Sequence, residues 1–96
     1  MNDYIFLMHD DGEQAGGFDW EAYLSKLRER GHFDGGSAIG AGICVNRGGS
    51  TVRISGHLTG YIRVRAEDLN QAKALLAGNP VFEAGGTVEI RELPRH

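Results

Sequence analysis

Residues 60–92 constrain this chain most. The string GYIRVRAEDLNQAKALLAGNPVFEAGGTVEIRE carries strand, helix and strand signals in that order. Tyr61, Arg63 and Arg65 alternate with Ile62 and Val64, which predicts a strand with one polar and one apolar face. Glu67 and Asp68 favour a helix start, because carboxylates suit the positive end of the helix dipole. Leu69, Ala72, Leu75 and Leu76 supply the buried stripe of a helix over 67–77. Gly78 and Pro80 stop it. A loop and a Gly85-Gly86 turn lead into residues 87–92, where Val88 and Ile90 alternate with Glu89 and Arg91.

The first half repeats the order of elements without repeating the sequence. Residues 4–9 (YIFLMH) form an apolar run that predicts a buried strand. Residues 10–17 are polar and glycine-rich, hence a loop. Asp19 is placed to cap the next helix, and Phe18 with Tyr23 fits a hydrophobic staple. Trp20, Tyr23, Leu24 and Leu27 share one helical face, and Gly31 stands where a left-handed C-cap is expected. Residues 33–45 (FDGGSAIGAGICV) are small enough to run extended against other backbone. Residues 46–49 make a turn, and TVRI at 51–54 predicts a hairpin with the run 43–45. Cys44 is then a buried strand residue. The expected fold is α+β: a ferredoxin-like βαββαβ antiparallel sheet with an extra hairpin and both helices on one face.

Ninety-six residues suit one domain, residues 1–96. A net charge of −3, with ten dispersed basic residues, argues against a nucleic-acid partner. No apolar stretch reaches membrane-spanning length, and the start has no signal-peptide pattern, so no membrane is expected. The single cysteine forms no internal disulfide, which makes a cytoplasmic location the expectation. No zinc-ligand spacing is present. Gly40-Ala41-Gly42 lacks the third glycine and the following helix of a dinucleotide fingerprint. Neither metal nor cofactor is expected.

Gly60-Tyr61 opening a strand, the acid-led helix, Asn79-Pro80 and Gly85-Gly86-Thr87-Val88-Glu89-Ile90-Arg91 together resemble the carboxyl-terminal half of the YCII-related (DGPF-type) family of small bacterial proteins. The likeness is good over 60–93, moderate in the middle and weak in the first strand. It implies a dimeric α/β-barrel arrangement, in which two ferredoxin-like sheets face each other in a homodimer. The face bearing Tyr61, Arg63, Arg65, Glu89 and Arg91 suits a partner sheet, though solvent can also cover it. One branch of the family has a His near the start of the first helix and an Asp before the loop proline, proposed as a catalytic pair. Here Trp20 and Glu21 start the helix and Asn79 precedes Pro80, so that pair is not carried over. The other branch has an Asp-Gly-Pro-Phe loop before the third core strand. Residues 55–59 are shorter here, and His57 stands near the place of its acid.

Four residues are candidates for chemistry. His57, in a glycine-flanked loop, can serve as acid, base or anion donor, unless it is only an exposed loop residue. His9 ends the first strand beside Asp10 and Asp11, which suggests a raised pKa or a weak metal site, unless it merely punctuates the strand. It alternates with Leu7 and Ile5, so it can point into a pocket beneath the sheet. Arg53 and Arg63 can hold the anionic end of a small organic ligand, or be plain surface charges. His32 suits the end of the first helix, where its charge meets the dipole. Two readings stay open: acid–base action on a small molecule, or a non-catalytic module binding a ligand or a protein.

Overall fold

The structure is a computed structural model, and it describes residues 1–12, 19–49 and 53–95. Seven elements follow one another: β1 (Asn2–His9), α1 (Trp20–Glu29), β2 (Phe33–Ala38), β3 (Leu58–Ala66), α2 (Leu69–Ala74), α3 (Pro80–Glu83) and β4 (Val88–Leu93). The strands form one antiparallel sheet in the order β2-β3-β1-β4. The class is α+β, and the strand order is compatible with the ferredoxin-like plan.

Alternation decides which side chains go inside. Tyr4, Phe6 and Met8 of β1 are buried, as are Ile62, Val64 and Ala66 of β3. The register sets Tyr4 opposite Val64 and Phe6 opposite Ile62, so these residues share a face. Tyr23 and Leu27 of α1, Ala72 of α2 and Leu76 just beyond it join them in one core cluster. Val88 and Ile90 pack against its edge. The other face carries Ile5, Leu7, Tyr61, Arg63, Glu89 and Arg91, as alternation requires.

The predicted caps are present. Asp19 accepts from the Glu21 N–H at 2.9 Å and starts α1. Gly31, at φ +75°, ends it, and the His32 N–H reaches back to the Leu27 carbonyl. The staple partner Phe18 lies outside the described residues. Asp68 caps α2 by accepting from the Gln71 N–H at 2.8 Å. The helix is shorter than expected, and Leu69, its first residue, is 55% exposed instead of buried. The Tyr23 hydroxyl donates to the Leu75 carbonyl at 2.8 Å and ties α1 to the end of α2. Burial pushes the Tyr23 phenol up to about 12, against a smaller opposing pull from Asn79.

Two expectations are corrected. The loop after Gly78 contains a helical turn, α3, because Asn79 is a good cap and Pro80 fits the first helical position. Asn79 is fully buried, and its Oδ1 accepts from Val81 and Phe82 N–H groups. Asn79 is therefore a cap. Second, the 43–45 run forms no strand, and neither do residues 53–55. Thr51 and Val52 lie outside the described residues. The turn at Asn46 is present, closed by a Gly49 N–H to Asn46 carbonyl bond of 3.3 Å. Cys44 is exposed rather than buried, because residues 43–45 lie outside the sheet. The segment stands off the body. The radius of gyration is 14.8 Å, against about 12.5 Å expected of a compact chain of this length.

Candidate functional site

The structure brings His9 and His57 together. β1 loses its regular register between Met8 and His9, so that His9 pairs with Leu58. Such an irregularity re-aims the last side chain of a strand. The Asp10 N–H donates to the His57 carbonyl at 2.6 Å, which pins the loop entering β3 against the chain leaving β1. The two imidazole rings then meet edge to face, with centroids 4.8 Å apart.

Glu89 completes the cluster. β4 pairs with β1 so that Glu89 faces Leu7, one step along the same face from His9. Its Oε1 lies 3.1 Å from His9 Nε2, and its Oε2 accepts from Arg91 Nη1 at 3.3 Å. The hydrogen bond from His9, and then that from Arg91, holds the Glu89 carboxyl below its ordinary range. An ionised carboxylate can only accept, so His9 Nε2 carries the proton in this bond. In the neutral ring Nδ1 is then left with a lone pair, the arrangement of an oriented general base. Glu89 and His9 are partly buried, with side chains 35% and 20% exposed, whereas His57 is exposed.

The arginine candidates do not join this cluster. Arg63 lies across from Ile5, four residues and about 13 Å of strand from His9. It faces Asp34 at 4.0 Å, and Asp34 binds Arg65 at 3.1 Å. Arg95 grips Asp3 at 2.8 Å and holds its carboxyl below the usual range. These pairs line one end of the open sheet face. Arg53 sits in the stand-off segment, where its carbonyl accepts from the Cys44 thiol at 3.6 Å. Arg91, also across from Ile5, reaches the cluster through Glu89 Oε2.

Of the carboxylates next to His9 in sequence, Asp11 directs its hydrogen bonds to Thr87. Asp11 accepts from the Thr87 N–H at 2.8 Å and the Thr87 hydroxyl at 2.6 Å, which lowers its pKa and locks the loop after β1 to the start of β4. The ring nitrogen Nδ1 of His32 bonds the Arg65 carbonyl at 2.7 Å, so His32 fastens the end of α1 to β3. Among the described residues no three His, Cys, Asp or Glu side chains gather as metal ligands. No helix among them is long and apolar enough to cross a membrane.

A cavity of about 440 Å³ lies on the other side of the sheet. Met8 and Ile62 floor it, Leu24 and Val81 wall it, and Trp20 stands at its mouth, 38% exposed. Its size suits a small ligand and its lining is apolar. His9 was expected to point into a pocket beneath the sheet, but it sits with Ile5 and Leu7 on the face away from this one.

The chain matches no family model and no curated protein. Sequence reasoning singled out both histidines but not the roles of Glu89 and Arg91. The alternation of residues 87–92 placed those two on the open face. Only the pairing of β4 with β1 sets Glu89 against His9.

Proposed function

We propose that the protein performs acid–base chemistry on a small organic anion at the Glu89–His9–His57 cluster, as a homodimer of YCII-like proteins. One observation carries the reading: the 3.1 Å contact that sets an ionised Glu89 behind His9, with His57 against the same ring. Glu89 orients His9, and His9 takes or returns the proton. His57, the more exposed ring, meets the substrate or relays the proton to solvent. Arg91, whose side chain is 69% exposed, attracts the anionic end. The family resemblance of residues 60–93 supports the choice of class, and supports having both helices cover one face while a second sheet covers the other. Ile5, Leu7 and Tyr61 are the apolar centre of that second face. A partner resting on them would wall the histidine cluster on one side.

The cavity favours a second reading, a non-catalytic module that holds an apolar ligand between sheet and helices. Imidazole and indole resonances separate the two. Small carboxylates should shift His9 and His57 signals, and Glu89→Gln should weaken that response at least tenfold while the fold is kept. If carboxylates leave both rings unmoved, and apolar molecules shift only Trp20, the acid–base reading fails and the cavity reading replaces it.

A further inference from the structure

The stand-off segment, residues 39–57, has surface chemistry that the acid–base reading does not use. Ile43 is 83% and Val45 81% exposed, and Ile39 and Ile54 are exposed as well. Branched apolar side chains gain most by leaving water. The segment contains Arg47 and Arg53 and no carboxylate, so the rest of the chain has eight basic residues against thirteen acidic ones. It is a basic arm with an apolar tip on an acidic body.

The cavity has the opposite character. Its walls are apolar, and its volume of about 440 Å³ is unfilled by the described side chains. Its mouth residue Trp20 follows Asp19 and precedes Glu21, both exposed. Apolar fill and basic flanks are what such a site accepts.

The arm does not serve its own cavity. It leaves the body at Ile39, whose N–H still bonds the Thr59 carbonyl at 3.0 Å and so prolongs the line of β2. Its two legs are held together by the contact between the Cys44 thiol and the Arg53 carbonyl. From Gly40 onward the described residues of the arm are exposed up to His57. We propose that Ile43 and Val45 dock in the cavity of a second copy of this chain, which returns its own arm in the same way. A two-fold exchange satisfies both arms and both cavities with one interface, as closed symmetry requires. Arg47 and Arg53 then approach Asp19 and Glu21 of the partner subunit. The exchange is a contact on the helix side of the sheet, separate from the sheet-face homodimer proposed above, and it does not use the chemistry of His9 and His57.

Cys44 lies between the two docking residues and is the sole cysteine, so it reports on the contact. In the full-length Val81→Cys variant, mild oxidation should give a covalent two-chain band on a non-reducing gel. Lys73→Cys, exposed on α2, should not. Ile43→Asp combined with Val45→Asp should shift the emission of Trp20, the only tryptophan, to longer wavelength and raise binding of an apolar dye several-fold. A cross-link formed within one chain, or none, overturns the proposal. So does a double variant with unchanged Trp20 emission and dye binding. If the wild type is a dimer by light scattering and the double variant remains one with those signals unchanged, the arm exchange fails while the sheet-face dimer survives. A monomeric wild type removes both dimer proposals and leaves the histidine cluster to its own test.

Discussion

In residues 58–93 nearly every local signal finds its structural partner. Ile62 and Val64 go into the core, Asp68 caps α2, Asn79 caps α3, and Val88 and Ile90 close the edge of the core. Among the described residues of 39–57 the apolar signals find none: Ile43 and Val45 alternate like strand residues and stand in solvent. The difference lies in what each stretch needs. A strand flanked by two others and packed under helices is completed by its own chain. A strand-like run beyond the end of β2 needs an edge or a surface that this chain does not offer it.

Substitutions test that contrast directly. Phe6→Ala, at a fully buried site in the central strand, should cost about 3–5 kcal/mol of folding stability. Ile43→Ala should change the stability of the isolated chain by no more than about 0.5 kcal/mol. Denaturant midpoints for the two variants measure both. Comparable losses would mean that the arm belongs to the folding unit and that the contrast is false.

Removing a cap is a smaller perturbation. Asp19→Ala should destabilise by about 0.5–2 kcal/mol, because the Glu21 N–H loses its acceptor. An unchanged midpoint would place the start of α1 elsewhere.

Alkaline pH probes the bond between α1 and the end of α2. The Tyr23 phenol is raised from 10.0 to about 12 in the folded chain. The folded state therefore holds this proton more tightly than the unfolded state. Its contribution to stability is complete below about pH 10 and is lost as pH climbs through about 12. Tyr23→Phe should lower stability at neutral pH by about 1 kcal/mol, through the lost bond to Leu75, and flatten the decline in that window. A decline of equal steepness in the variant would assign it to other groups.

How much was legible depended on distance along the chain. Caps at Asp19, Gly31 and Asp68 act within a few residues, and the sequence displays them. The α3 turn was also written locally, as Asn79-Pro80 with Glu83 behind, but the helix stop at Gly78 drew the reading toward a loop. Glu83 reaches back to the Gly78 N–H at 3.2 Å, one residue before the cap. The site was legible in part. His9 and His57 were visible as residue types, but their meeting needs the irregular register at the end of β1, and Glu89 arrives from eighty residues away. Asp11 misled, because its hydrogen bonds go to Thr87 and not to His9. Thr87 takes Asp11, and Glu89 takes its place beside His9.

β1 lies at the centre of the sheet, yet both strands that flank it come late: β3 begins at Leu58 and β4 at Val88. As the chain is synthesised, Phe6 and its neighbours have no strand to pair with until β3 has been made. One edge of β1 stays open until the last strand is made. Closing such loops costs entropy before any ladder bond is gained, so this topology belongs with the slower-folding small domains. During that interval the run Ile5–Met8 is an unpaired apolar strand, the kind of segment that adheres to other chains. The residues that later present His9 to Glu89 are thus also the ones whose exposure during folding sets the aggregation risk.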